Sequence, residues 1–323
     1  FRIYADANNR PATYSKNNKP YKPKHFLPVS LDGIEEGDFT MVFGFPGTTD
    51  EYLPAVAIEH ITQEYNPTNI AIREAALKVI DAKMKTSDDV RIKYASKQAR
   101  IANAWKKWIG ENLGIKKSNA VAKRREFEAT FTKALKEKGM EDTYGNILPE
   151  FDRLYKDFSA INIKRRNFIE VFFVTNELMN MTLRAYQMEL AISKNPDDFE
   201  KAKEVLENRL KGTHKNYDVE VDKGVFEAVM PFYNKNVDAS IYNKSAFTNL
   251  DSALKLLEGK PNEVIKKLNK DAAYKYAKPM IEEFYNEINS EYQEKNEPIT
   301  ALQTTYMTAL MKVLPEERYF PDA

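Results

Sequence analysis

The sequence contains no cysteine, and this absence excludes several kinds of site at once. Without a thiol there is no disulfide bridge, no thiolate nucleophile, no cysteine-ligated zinc ion and no iron–sulfur cluster. Histidine is nearly as scarce, since the only three are His25, His60 and His214. His60 and Glu64 would share one helix face, but two ligands do not hold a zinc ion, and we interpret them as a surface pair. The sequence therefore predicts no metal site and no cofactor.

Long apolar runs and an excess of one charge are also missing. Charged residues interrupt every apolar stretch well before the ~20 residues that span a bilayer, so no membrane segment is predicted. Lys and Arg number 49 against 48 Asp and Glu, which leaves no overall field to hold a polyanion. Residues 114–139 do carry eight Lys or Arg and three Glu. A basic hairpin of this kind could contact nucleic acid, but a solvated helix face already explains it, and we predict no nucleic-acid partner.

Motifs for nucleophilic catalysis and phosphate binding are absent from the chain. None of the eleven glycines is followed two positions later by serine, so the turn that exposes a catalytic serine is missing. Gly44 and Gly47 lack the spacing and the Lys-Ser/Thr pair of a phosphate-binding loop. We therefore predict no catalytic residue within these 323 residues.

The residues that are present divide the chain into two unequal parts. Residues 1–54 hold four of the eleven glycines and six of the fifteen prolines, a density of turn residues that the remainder lacks. Within them, the β-branched and aromatic run Phe39–Phe45, stopped by a Pro-Gly pair, predicts a buried strand. From residue 55 the apolar residues repeat with helical period, so the fold class is mainly α, preceded by a short β-rich segment.

Caps and prolines locate the helix ends. The expected helices cover residues 66–85, 87–112, 118–139, 144–193 (one helix or two in tandem), 195–212, 222–235, 247–258, 261–270, 272–294 and 298–313. Residues 314–323 form an extended segment bounded by proline. Because the chain begins at Phe1 without an initiator Met and both ends are extended, we interpret it as an inserted helical domain cut from a β-rich host.

One residue in the second long helix differs in kind from its neighbours. Tyr94, Ile101, Trp105, Trp108 and Ile109 recur at helical spacing and predict a core-facing side. Asn103 lies on a neighbouring face between two alanines, which would allow another surface to approach it. An asparagine in a helix is ordinarily exposed or locally hydrogen-bonded, and spacing alone does not separate that interpretation from a ligand contact.

Four stretches together resemble the bacterial dipeptidyl-peptidase 7 and dipeptidyl-peptidase 11 family, serine peptidase family 46. They are Phe1-Arg-Ile-Tyr-Ala-Asp, Gly37-Asp-Phe-Thr-Met-Val-Phe-Gly-Phe-Pro-Gly-Thr-Thr-Asp, Ala102-Asn-Ala-Trp-Lys-Lys-Trp-Ile-Gly110 and Arg318-Tyr-Phe-Pro-Asp-Ala323. The resemblance implies a chymotrypsin-like double β-barrel with a helical cap domain inserted between its halves. Residues 1–54 would belong to the first barrel lobe, 55–313 to the cap, and 314–323 to the return into the second lobe.

The same resemblance implies a function and a role for Asn103. Family members remove dipeptides from peptides that have a free N-terminus, and Asn103 corresponds to the cap-domain asparagine that accepts a hydrogen bond from the substrate α-ammonium. The catalytic His, Asp and Ser would lie outside this chain, so the chain alone is expected to be inactive. A homodimer of the full-length protein and a periplasmic or cell-surface location in a Gram-negative bacterium are also implied.

The residues leave one alternative from another class open. If the reading frame started and ended with this sequence, the chain would be a free-standing helical binding or scaffold protein without catalysis. A nucleic-acid-binding helical protein ranks third, and steep salt dependence of its binding would distinguish it.

Overall fold

The structure is a computed structural model that describes residues 2–41, 44, 50 and 52–315. The chain forms two compact units, Phe1–Thr49 and Asp50–Ala323. We refer to the second as the helical unit. Of the predicted return segment 314–323, residues 316–323 lie outside the described residues.

The first unit has little regular structure in its described residues. A short antiparallel pair joins β1 (Tyr4–Ala5) to β2 (Lys19–Pro20), with Tyr4 opposite Pro20. The strand predicted at Phe39–Phe45 is wrong for residues 39–41, which have no strand structure, and Phe39 is 90% exposed. A strand needs a neighbour for its N–H and C=O groups, and no described residue of this unit supplies one there. Residues 42, 43 and 45 lie outside the described part.

The helical unit is built from α-helices joined by short π and 3₁₀ turns. The α-helices are α1 (Ala55–His60), α2 (Asn66–Thr86), α3 (Asp88–Ser118), α4 (Ala120–Glu137), α5 (Glu141–Tyr144), α6 (Ile147–Phe168), α7 (Glu177–Lys194), α8 (Phe199–His214), α9 (Val219–Val229), α10 (Ile241–Lys244), α11 (Leu250–Leu256), α12 (Pro261–Leu268), α13 (Ala272–Glu283) and α14 (Asn289–Val313). The mainly α fold class is confirmed. Among the described helices, none combines the length and the apolar character that a bilayer crossing requires.

The helix start predicted at Asn66-Pro67 lies inside a continuous helical path. A π turn, Ile61–Tyr65, joins α1 to α2 while the backbone stays helical, and the Asn66 N–H donates to the Ile61 carbonyl. Pro67 follows directly, where the change of hydrogen-bond register already disturbs the helical ladder, so its missing N–H costs little.

The long segment predicted over 144–193 proves to be two helices in tandem. After α6 a π segment, Ile169–Thr175, leads to Asn176, whose extended backbone ends the helical path. The Asn176 side chain accepts from the Met179 N–H at 2.9 Å and begins α7. The side-chain cap thus decides where the second helix starts.

The break predicted before Pro298 is wrong, because α14 continues through that proline. Pro298 is exposed, and the carbonyl that its ring deprives of a donor belongs to the exposed Glu294. Water can solvate that carbonyl, so the helix is not forced to end there.

Stacked aromatic rings mark the centre of the core. The Phe168 ring lies 4.2 Å from Phe172 and 4.0 Å from Phe284, between α6, the π segment 169–175 and the π turn Phe284–Ile288. Around this centre α2 packs on α3 and α9, α6 on α14, and α7 on α8 and α13. The helix that carries Asn103 is therefore held along one side by the core.

Candidate functional site

Asn103 lies near the middle of α3 with its side chain exposed. Ser87 begins this helix by accepting from the Val90 N–H at 3.3 Å, as predicted, and Asn119 ends it in the left-handed conformation with φ 55°. The helix extends beyond the end expected at residue 112. No hydrogen bond joins the Asn103 side chain to another described residue, so its amide is available to a ligand.

The opposite side of α3 is anchored as the apolar spacing predicts. Tyr94, Ile101 and Trp108 are buried, whereas Trp105 is half-buried. Ile109 is the exception, being 38% exposed, because one further residue rotates it about 100° beyond Trp108. The helix therefore presents Asn103 to solvent from a fixed base.

A buried polar contact holds the backbone close to Asn103. The Arg73 Nη1 donates to the Ile101 carbonyl at 3.1 Å, two residues before Asn103. Arg73 is oriented in turn by Glu170 and by the Trp108 ring, whose centroid lies 4.6 Å from the guanidinium carbon. The network links α2, α3 and the π segment 169–175, so the backbone beside Asn103 is positioned by groups that the sequence alone does not pair.

A second buried cluster lies two turns earlier on α3. Lys97 Nζ is 3.1 Å from Glu177 Oε2, and the Tyr94 hydroxyl donates to the same carboxylate at 2.7 Å. Asp222 accepts from the backbone N–H groups of Glu177 and Leu178 at 2.7 and 2.9 Å, and from the Tyr242 hydroxyl at 2.8 Å. This cluster joins α3 to the first turn of α7 and to α9.

Burial sets the ionisation of this cluster. Desolvation raises the pKa of Asp222 to about 6, although the nearby Lys97 ammonium lowers it. Burial also raises the pKa of Tyr94 far above its ordinary value, and the Glu177 carboxylate adds to that shift, so the phenol stays protonated and donates.

His60 and Glu64 form the pair that their spacing predicts, with 3.6 Å between Nδ1 and Oε2. His60 is buried, not on the surface as we interpreted it, because its ring packs between Tyr155 and Phe158. Its Nε2 lies 2.9 Å from the Asn162 amide nitrogen, which assigns the imidazole proton to Nδ1. In the described part of the chain, no three His, Asp or Glu side chains are grouped to hold a metal ion.

Some basic side chains form ion pairs within the helical unit. Arg125 pairs with Glu59 at 2.9 Å and with Glu128 at 3.3 Å, while Lys164 pairs with Glu283 at 2.5 Å. Arg166 donates to the buried Glu170 at 2.5 Å. These pairs neutralise individual basic side chains, while most basic residues of 114–139 are exposed, as expected for a solvated helix face.

Glu170 and Asp222 are the residues that sequence reasoning missed. One signal was available for Glu170, since it is the only charged residue in the otherwise apolar run 169–174. A charge in such a run is expected to be buried with a partner. Asp222 carried no comparable signal, because acidic residues are ordinary in the first turn of a helix.

The family model described as Peptidase S46 matches residues 1–240 and 233–323. The chain belongs to the peptidase family S46. An Asp/Glu-specific dipeptidyl-peptidase of Flavobacterium psychrophilum is 41% identical over 341 residues, covering 100% of this chain and 48% of the relative. A dipeptidyl-peptidase 7 of Phocaeicola vulgatus is 33% identical over 348 residues, with the same coverage of both proteins.

The chain also shares its fold with part of a solved structure. The crystal structure of Porphyromonas endodontalis DPP11 in complex with the dipeptide Arg-Glu superimposes with a TM-score of 0.72 at 21% identity, covering 96% of this chain and 47% of that one. This S46 chain thus spans about half the length of the relatives it matches. The predicted family is confirmed, whereas the assignment of residues 1–54 and 314–323 to barrel lobes and the role of Asn103 stay predictions.

Proposed function

We propose that this S46 chain is the cap-bearing part of a serine dipeptidyl-peptidase that removes dipeptides from peptides with a free N-terminus. Support comes from the names of the relatives, an Asp/Glu-specific dipeptidyl-peptidase and a dipeptidyl-peptidase 7. The helical unit would gate the active site. The catalytic Ser, His and Asp would be supplied by parts of the full-length protein outside these residues. The family resemblance also implies that the full-length protein is a homodimer and that it is secreted or periplasmic.

One observation carries the role of Asn103 in this proposal. Its amide is exposed and unpartnered among the described residues, while the backbone two residues away is fixed by Arg73. An α-ammonium carries three N–H donors, and the Asn103 Oδ1 can accept one of them while Nδ2 remains free to donate to a peptide carbonyl. Because α3 is anchored by its buried side, Asn103 would hold the peptide N-terminus at a constant distance from the nucleophile, which selects for a dipeptide product.

The experiment uses the full-length protein encoded by the open reading frame that contains this chain. It compares the parent protein with its Asn103→Ala variant. Fluorogenic dipeptidyl amides are offered with a free or an acetylated N-terminus. We expect the substitution to lower kcat/KM for the free amine by about 5- to 150-fold, the loss of one charged hydrogen bond worth roughly 1–3 kcal/mol. Lys116→Ala, at an exposed position in the last turn of the same helix, is the control and should leave kcat/KM unchanged.

Three outcomes would contradict parts of the proposal. An unchanged kcat/KM in Asn103→Ala would remove this residue from the substrate site. Turnover by the purified 323-residue chain alone would contradict the placement of the triad outside it. Absence of dipeptidyl-peptidase activity from the complete reading frame would contradict the function and favour a helical binding protein.

A further inference from the structure

A cavity of about 420 Å³ opens between α3, α7 and α8, one turn of α3 away from Asn103. Its lining is strongly cationic, with five basic side chains and one acidic side chain, Glu177. The basic residues are Arg73, Lys97, Arg100, Arg184 and Arg209. Nothing in the role proposed for Asn103 uses this concentration of positive charge.

Only two of the five cations are neutralised. Arg73 pairs with Glu170 at 2.8 Å, and Lys97 pairs with Glu177 at 3.1 Å. Arg100, Arg184 and Arg209 have no carboxylate within ion-pair distance in the described part of the chain. They project from three different helices, α3, α7 and α8 in that order, so no single helix face explains their convergence.

Two buried nitrogen atoms beside the cavity lack hydrogen-bond acceptors among the described residues. Arg184 donates from Nη1 to Gln187 at 2.9 Å, but its buried Nε has no partner. Lys97 is 7% exposed, and its Nζ contacts Glu177 at ion-pair distance without the angle of a hydrogen bond. Buried donors without acceptors are unfavourable, and a bound oxyanion would satisfy them.

The electrostatics of Arg184 agree with an uncompensated positive site. Burial lowers the pKa of Arg184, and the charge of Arg209 lowers it further. Two guanidinium groups that repel each other in a partly desolvated cavity are stabilised together when an anion lies between them.

The adjoining surface indicates what kind of molecule carries the anion. Arg184 and Arg209 also line a groove of about 370 Å³ between α7 and α8, with Met188, Ala191 and Val205 on its walls. Val205 is 57% exposed. Guanidinium groups match the planar oxygens of a carboxylate, and the apolar groove accommodates a chain attached to it. A peptide has both features, whereas a free inorganic anion would leave the groove unused.

We propose that Arg100, Arg184 and Arg209 form a carboxylate-binding site for an acidic peptide segment that runs along the groove between α7 and α8. The carboxylate comes either from a Glu or Asp side chain or from the peptide C-terminus. The proposal rests on the proposed function in one respect, since it takes the bound peptide to be a substrate whose N-terminus lies at Asn103. The site itself requires no catalysis.

Isothermal titration of the full chain tests the site directly. The probes are N-acetylated tetraglutamate amide, which has side-chain carboxylates only, and N-acetylated tetraalanine with a free C-terminus. We expect one of them to bind, and raising NaCl from 50 to 200 mM to weaken its binding through screening. Arg209→Gln and Arg100→Gln should each raise Kd by about 10-fold or more, because each removes a charge-assisted hydrogen bond.

The controls distinguish a specific binding site from a general effect of surface charge. They also make the result independent of the proposed peptidase function. Lys211→Gln removes one charge from the exposed side of α8 outside the cavity and should change Kd by less than about 2-fold, within the usual effect of a surface charge. Both probes have an acetylated N-terminus and only their binding is measured, so this result is independent of peptidase activity. Binding of neither probe, or equal losses in Arg209→Gln and Lys211→Gln, would overturn the site. Circular dichroism confirms that the exposed Arg100 and Arg209 variants stay folded.

Discussion

Arg73 and Glu170, 97 residues apart in sequence, form a bidentate ion pair in the core, with Nε–Oε2 at 2.8 Å and Nη2–Oε1 at 3.1 Å. Glu170 is fully buried and also accepts from Arg166. The remaining Nη1 of Arg73 reaches the Ile101 carbonyl on α3. This single carboxylate therefore holds two guanidinium groups and, through one of them, the backbone beside Asn103.

Removing that carboxylate should be costly. Glu170→Ala leaves two arginines without their counter-charge, and we expect a loss of about 3–5 kcal/mol in the free energy of unfolding. Urea denaturation of the full chain measures it. Glu150→Ala breaks the exposed pair with Arg153 and should leave the urea midpoint close to that of the parent. Equal midpoints for the two variants would contradict the structural role of Glu170.

Asp222 should be equally sensitive, for a different reason. Its carboxylate accepts from the first two N–H groups of α7, so Asp222→Ala leaves buried donors unsatisfied beside the Lys97 ammonium. We expect a loss of about 3–5 kcal/mol, and a smaller loss for Asp222→Asn, which keeps one acceptor oxygen. Glu220→Ala, on the exposed side of α9, is the control. A milder effect of Ala than of Asn at position 222 would show that the hydrogen bonds contribute little.

Acidification should destabilise the helical unit through His60. Burial lowers the pKa of His60 below its ordinary 6.5 and outweighs the opposing effect of the Glu64 carboxylate. As the pH falls below 6.5, the unfolded chain binds a proton that the folded chain does not, so His60's contribution to stability is complete above that pH and decreases below it.

The matching experiment compares urea midpoints at pH 7.5 and 5.5 for the parent and His60→Gln. The variant should lose less stability on acidification, because glutamine has no proton to gain, while the contributions of all other groups cancel in the comparison. His25→Gln, exposed in the first unit, is the control. An equal decrease of the urea midpoint in the parent and in His60→Gln would show that His60 is protonated as readily in the folded chain as in the unfolded chain.

Pro298 offers a test of the continuous α14. Pro298→Ala restores an N–H that can donate to the Glu294 carbonyl, and a helix that continues through this position should gain about 1–3 kcal/mol in stability. Thermal unfolding followed by circular dichroism detects the gain. A decrease in melting temperature would instead indicate that the chain requires a break here.

Local signals predicted the helix ends well where a capping residue determines them. Ser87 caps α3 as expected, and Gly139, with φ 63°, follows α4 at the predicted end. The helix start predicted at Asn66-Pro67 and the break predicted before Pro298 were wrong. Proline removes one backbone hydrogen bond, but it does not by itself decide whether a π turn or water compensates for that loss. The strand expected at Phe39–Phe45 depended on a neighbour, and no local pattern reveals whether a neighbour is present.

The sequence by itself determined the helical class of the chain, most helix boundaries, the family resemblance and the position of Asn103 on a face next to the core-facing one, since all of these follow from residues close together in the chain. Only the tertiary structure paired Arg73 with Glu170, placed Asp222 at the start of α7 and brought Arg100, Arg184 and Arg209 to one cavity. These contacts join residues on separate helices, and their energies depend on burial, which the packing of the whole unit creates.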